Sequence, residues 1–201
     1  MVSEVIRSDA GELLRCRHLE VVMKPMFQQL ARYNQWANGR LYEASFDLPE
    51  DSYRRDVGAF FKSLHGTLNH LLVVDRMWLK RLTGKGEHPD RLDAIIHEDK
   101  RLLALDRAEQ DDRIIKTIDE ISPDALDDTI EYANLSGKTF EQRRCDVLMH
   151  VFNHHTHHRG QAHCILSICT GAEPPSLDLL VMQRGGSSID IRSLAHENAP
   201  Q

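Results

Sequence analysis

No stretch of this chain stays apolar for more than a few residues; the longest runs are of the kind Ala94–Ile96 and Leu179–Met182. A helix that crosses a bilayer needs roughly 20 apolar residues in succession, so no contact with a membrane is expected. An apolar leader is missing too. Glu4, Asp9 and Glu12 stand where one would lie, and the expected location is the cytoplasm. Positive charge is not in excess, since 25 Lys and Arg face 31 Asp and Glu for a net charge of −6. Without a basic stripe interleaved with aromatics, nucleic acid is not an expected partner. The cysteines lack pairing: Cys16, Cys145, Cys164 and Cys169 form no Cys-x-x-Cys, and in a reducing compartment they read as small core residues.

Two metal motifs are also missing. There is no His-Glu-x-x-His, and no Glu-x-x-His pair of the kind a di-iron bundle requires. What remains is ordinary in bulk: 201 residues, 41% hydrophobic and 28% charged, enough for one soluble domain with a full core. Histidine is the exception. There are twelve, and five lie between His150 and His158.

Four helical patterns organise the chain. The first runs from about Pro25 to Ser45, with Met26, Leu30, Tyr33, Trp36, Ala37, Leu41 and Ala44 at helical spacing. The second covers about Val57 to Leu82 and stops at Gly84; the third covers about Asp93 to Ile121 and ends before Pro123. A turn-rich stretch from Tyr132 to Gly137 predicts a short hairpin or a loop. The fourth pattern starts near Thr139, as a cap ahead of Gln142, and runs to about Thr170 with Gly171 as its stop. Long helices with short connections predict an all-α fold, an antiparallel four-helix bundle. The bundle is assigned to residues 23–184, with a polar mobile tail at 185–201. Residues 1–22 are an N-terminal extension, either an extra amphipathic segment or a stretch ahead of the true start at Met23.

On a helix, residues four apart share a face, so His-x-x-x-His can chelate one ion. Several pairs are possible: His150 with His154, His154 with His157 or His158, and His155 with His158. At about 100° per residue, Val147, Val151, Ala162, Ile165 and Cys169 form one stripe, with His154 and His158 within about 60° of its centre. His150 and His157 fall near its edge and His163 opposite. A lone buried histidine most often just hydrogen-bonds a neighbour; a correctly spaced pair facing a third is better explained by a metal. On the second helix the stripe is Phe60, Leu64, Leu71, Val74, Trp78 and Leu82, with His70 beside it and His65 on the solvent side. One histidine there can face two on the fourth helix. Three imidazoles with an open fourth position make a catalytic type of site. The nitrogen set suits zinc, nickel, iron or copper, with zinc the default.

Three strings carry a resemblance: Tyr33-Asn-Gln-Trp36-Ala-Asn38, then Leu68-Asn-His70 followed by Met77-Trp78-Leu79, and His154-x-x-His157-His158-Arg-Gly-Gln161. With the Pro174-Pro-Ser-Leu-Asp178 segment, they resemble the DinB-like superfamily of bacterial four-helix proteins from about Met26 to Arg184. The resemblance implies metal ligands at His70, His154 and His158, in agreement with the wheel. It also implies a homodimer, and thiol S-transfer or metal-dependent hydrolysis as the chemistry.

A tris-imidazole metal can lower the pKa of bound water or bind a thiol as its thiolate. No glutamate lies within one turn of a ligand as a general base, so activation of a low-molecular-weight thiol is the expected function, ahead of hydrolysis. A non-catalytic, stress-related metal-binding dimer is the reading from another class. Gln161, one turn past His158, is a candidate to orient a ligand. Arg159 is expected in a structural salt bridge, with anchoring an anionic substrate as the alternative. Trp36 and Trp78 read as core aromatics that could also line a substrate, and Asn38 as a bridge between helices. His155 or His157 could close the site as a fourth ligand.

Overall fold

The computed structural model describes the backbone of residues 9–197 and the side chains of residues 23–196. Four long helices dominate it: α1 (Asp9–Phe46), α3 (Leu64–Thr83), α4 (Lys100–Glu120) and α5 (Arg144–Thr170). Short α2 (Glu50–Arg54) lies between the first two, and α6 (Leu179–Gln183) and α7 (Ile191–Glu197) follow α5. Of the hairpin and the loop left open around 132–137, the hairpin is present: β1 (Thr129–Ala133) pairs antiparallel with β2 (Thr139–Arg143), Thr129 opposite Arg143. The protein is therefore mostly helical with one small two-stranded sheet. Among the described residues no helix is long and apolar enough to cross a membrane.

Several helix ends differ from expectation. Helix α1 runs straight through Pro25 from Asp9. The N-terminal extension, read as an amphipathic segment or as a stretch ahead of Met23, falls on residues 1–8 and on side chains up to residue 22 that lie outside the described residues. Helix α3 starts seven residues late, at Leu64, because Ser63 caps it by accepting from the Gly66 N–H. Phe60, assigned to its apolar stripe, is instead 85% exposed in the preceding turn. Residues 93–99 are likewise irregular, and Asp99 caps α4. Thr139 belongs to β2 rather than to a helix cap; α5 begins at Arg144. The segment read as a polar tail contains α7, with Ile191 and Ala195 buried against the core.

Helix α1 packs on α4 and α5, and α3 also packs on α4 and α5. The expectation of an antiparallel arrangement holds for two of these pairs only. Asn38 and Gln28 of α1 meet Asp111 and Asp119 of α4, so that pair is antiparallel; so are α3 and α5, where His70 meets His158 and Trp78 meets His150. In contrast, Phe27 meets Phe152 and Asn34 meets Arg159, which makes α1 and α5 parallel. Asn69 contacts His97 just before α4, and Arg76 contacts Asp106, so α3 and α4 are parallel as well. The long connection at 84–99 carries the chain back to the same end, as a crossover must.

A buried polar network lies where these helices meet. Asp75 (α3) accepts from His155 (α5) and from Arg107 (α4), the latter at 2.5 Å. Arg107 also lies 2.9 Å from Asp111, which accepts from Asn34 and Asn38 of α1. Arg159 (α5) donates to Asn34. Burial alone would push the Asp75 carboxyl up; His155 and Arg107 overcome it and hold it at about 2. In Asp111 burial prevails over Arg107, and its pKa is raised.

Gly66 ties the α3 start to its preceding turn. A Cβ there would sit 2.1 Å from the Phe61 carbonyl oxygen, with backbone as the obstacle. Gly66→Ala is expected to lower stability by about 2 kcal/mol, the usual range for an overpacked site. Chemical denaturation checks this, since the midpoint should fall while the slope stays unchanged.

Candidate metal centre

The crossing of α3 and α5 brings three of the twelve histidines together. His70, His154 and His158 each offer a ring nitrogen, all within 4.8 Å of one another, and among the described residues no other His, Cys, Asp or Glu group meets that condition. Ring centroids are 4.4 Å apart for His70–His158, 4.2 Å for His154–His158 and 5.4 Å for His70–His154. The order follows from helix arithmetic: His154 and His158 are one turn apart on α5, and His70 stands opposite on α3.

The proton positions are constrained by the partners. His70 Nδ1 lies 2.8 Å from the Leu92 carbonyl oxygen, which can only accept, so Nδ1 carries the hydrogen. His158 Nδ1 lies 2.7 Å from Gln161 Oε1, while the Gln161 amide nitrogen lies 3.0 Å from His157 Nε2. With this orientation His158 donates to Gln161 and Gln161 donates to His157. Both Nε2 atoms, of His70 and His158, are then bare lone pairs, yet they face each other at 3.3 Å. Two lone pairs at that distance repel unless a cation lies between them. His154 Nδ1, buried nearby, has no hydrogen-bond partner. These residues fit a divalent metal ion: the donor set is assembled, the tautomers of His70 and His158 are fixed from behind, and the buried His154 Nδ1 has no hydrogen-bond partner among the described residues.

Burial favours the neutral, metal-ligating form of each imidazole. It lowers the His70 pKa to about 4, against the Leu92 contact, and the His154 pKa to about 3, with the neighbouring His158, His155 and His70 adding to the fall. His158 is lowered less, again mainly by burial. Phe61 stacks on His70 with centroids 3.8 Å apart and presents an edge to His158, shielding that side.

His155 is 1% exposed and its Nε2 is taken by Asp75, so it does not join the triad, and His157 lies outside it, with its ring against His158 and its Nε2 on the Gln161 amide. His65, expected on the solvent side, is buried against Tyr53. Arg159, expected in a salt bridge at the stripe edge, is buried, pairs with no carboxylate among the described residues, donates to Asn34 and stacks over Tyr33. Trp36 is buried and donates to the Ser187 carbonyl, and Asn38 bridges α1 to α4 through Asp111; no contact links either to the triad. On α5 the most buried positions are Leu148, His155, Ala162 and Leu166, and the ligands stand at the margin, half-buried. The wheel's stripe is buried as expected, but the buried arc of α5 extends past it to His155 and Arg159, because α5 is covered from two sides, by α1 and α3. Phe61 was not singled out by sequence, since its place depends on the cap at Ser63.

Comparison with known proteins agrees with this picture. The model of the DinB family matches residues 23–188. The chain is also similar to Protein DinB of Bacillus subtilis (strain 168), with 24% identity over 153 residues that cover 74% of this chain and 88% of that protein.

Proposed function

The chain belongs to the DinB family, and from that premise we propose that His70, His154 and His158 hold one divalent metal ion in an enzyme that transfers a low-molecular-weight thiol to an electrophile. Zinc is the default ion, with nickel and iron as alternatives. The proposal includes a helical bundle acting as a cytoplasmic homodimer.

The observation that carries this reading is the pair of bare Nε2 atoms 3.3 Å apart. A divalent ion on three neutral imidazoles supplies the positive charge that stabilises a thiolate at neutral pH. The chain's own residues do the rest. Leu92 and Gln161 hold the His70 and His158 rings by their outer nitrogens, and Phe61 keeps solvent from one side. A hydrolase would want a free carboxylate to take the proton of water. Asp75 is the acid whose charge reaches His70, and both its oxygens are already committed to His155 and Arg107. This supports thiol transfer over hydrolysis.

The direct test is turnover of the metallated protein with glutathione, bacillithiol or mycothiol against a panel of electrophiles. Thiol-dependent product that disappears on chelation is expected; none across the panel would leave the hydrolase or the non-catalytic binder. Gln161 should matter to the metal without touching it. Gln161→Leu is expected to weaken metal affinity about 10–100-fold, as loss of such an outer hydrogen bond does, read by competition with a chromogenic chelator.

A further inference from the structure

Ring contacts between α3 and α5 continue beyond the histidine triad. Residue 81 is three turns past residue 70, roughly 20° away around the helix, so Arg81 continues the His70 face. On α5, His150 is one turn before His154. The rings between them form a continuous wall: His154 to His150 at 5.9 Å, His150 to Trp78 at 5.2 Å, and Trp78 to Tyr132 of β1 at 5.2 Å. Val74, Val147 and Val151 pack in the core cluster that holds Trp78.

Arg81 ends this wall. Its guanidinium carbon lies 4.5 Å from the Trp78 ring centroid and 5.1 Å from that of Tyr132. Unlike Arg54, Arg76, Arg107 and Arg143, it forms no hydrogen bond or ion pair with a described residue. Burial lowers its pKa, and the Tyr132 phenol is the group that opposes the fall. The His150 ring likewise contacts its neighbours only through its faces and edges. A half-buried cation with unspent planar donors, stacked so that it cannot wander, matches a carboxylate.

We infer that Arg81, with His150 beside it, is the subsite that recognises an anionic carboxylate of the substrate, whose reacting end lies at the triad. The Arg81 guanidinium stands over Trp78, eight residues past His70, which puts it roughly 12 Å from the triad along the helix. The substrate class is thus an elongated small molecule that bridges this gap with a carboxylate at its far end, its body lying along the ring wall. The inference rests on the triad being the metal centre proposed above. The competing account is that Arg81 merely covers Trp78 with its stem and cation.

Thiol probes on the cobalt-loaded full chain separate the two. Binding of 6-mercaptohexanoate, 6-mercaptohexanol and mercaptoacetate is read from the thiolate-to-cobalt absorption. The long acid is expected to bind about tenfold more tightly than the alcohol, the size of one good charge-assisted contact. Arg81→Gln should abolish that gap and leave the alcohol and the short acid unchanged; Arg81→Lys should retain part of it. A gap absent from the native protein, or surviving in Arg81→Gln, overturns the inference. A second readout needs no thiol. Hexanoate should perturb tryptophan fluorescence saturably in the native chain and not in Arg81→Gln; equal responses overturn the subsite. Absence of a cobalt–thiolate band with every probe instead counts against the proposed thiol chemistry, while the hexanoate titration still decides Arg81.

Discussion

His154→Ala protein will fold, keep its helical circular dichroism and fail to hold metal. The expected loss of affinity is on the order of a hundredfold or more, since removing even an outer partner of a ligand costs up to about that much. Metal analysis of dialysed protein checks the effect, and full stoichiometric retention would sink the three-histidine assignment. Stability sharpens the test. In the metal-free protein the His154 Nδ1 is buried without a partner, and burial holds the ring neutral with a pKa of about 3. Deleting it removes an unsatisfied group along with some packing, so the metal-free variant should unfold close to the metal-free native protein. Added metal should then raise the melting temperature of the native chain alone, because only a site that binds the folded state stabilises it. A purely structural histidine would show the opposite: loss of stability with metal absent.

Asp75→Ala should give the largest loss of stability of any single change in the core. Its carboxylate is the shared partner of His155 and Arg107, both buried, and its removal takes the acceptor from His155 and leaves the Arg107 guanidinium, 1% exposed, with Asp111 alone. Breaking a buried pair from one side typically costs about 3–5 kcal/mol, or a fall in melting temperature of roughly 10 °C for a chain of this size. The acid dependence has a definite sign. The folded carboxyl is depressed to about 2, so its contribution is fully present above the unfolded carboxyl pKa and is lost as pH falls toward the folded value. The native protein should therefore lose stability below about pH 4 more steeply than Asp75→Ala does. Equal acid slopes in the two proteins would show that Asp75 is not the group responsible. Denaturant melts across the acid range make the measurement.

The network has a second consequence. Asp75, Arg107, Asp111, Asn34 and Arg159 come from all four long helices, so each helix can take only one axial position if the pairs are to form. His154 and His158 share α5 with His155 and Arg159, and His70 shares α3 with Asp75. Fixing those partners fixes the register of the triad.

The local quantities were legible in the amino-acid sequence because they repeat with the helical period. Four long helices and the Gly84 and Gly171 stops, now seen in left-handed backbone, followed from spacing and turn chemistry, while the turn-rich stretch at 132–137 was open between the hairpin that formed and a loop. So did the choice of His70, His154 and His158, since four-residue spacing and a facing helix are properties of one dimension. Where a helix begins was less visible: Ser63 and Asp99 claimed α3 and α4 through caps that compete with many similar residues nearby. What no periodicity could supply was the direction and neighbourhood of the helices. That α3 lies parallel to α4 is decided by the connection at 84–99 and by Asn69, Arg76 and Asp75 finding partners across the gap. The same packing buried His155, which the wheel had not placed, and Arg159, expected at the stripe edge, because a helix covered on two sides has a wider interior arc than one stripe. The sequence alone thus determined which residues can ligate, and the tertiary structure decided which are free to: His155 spends its nitrogen on Asp75, while His70 and His158 are left with lone pairs turned toward each other.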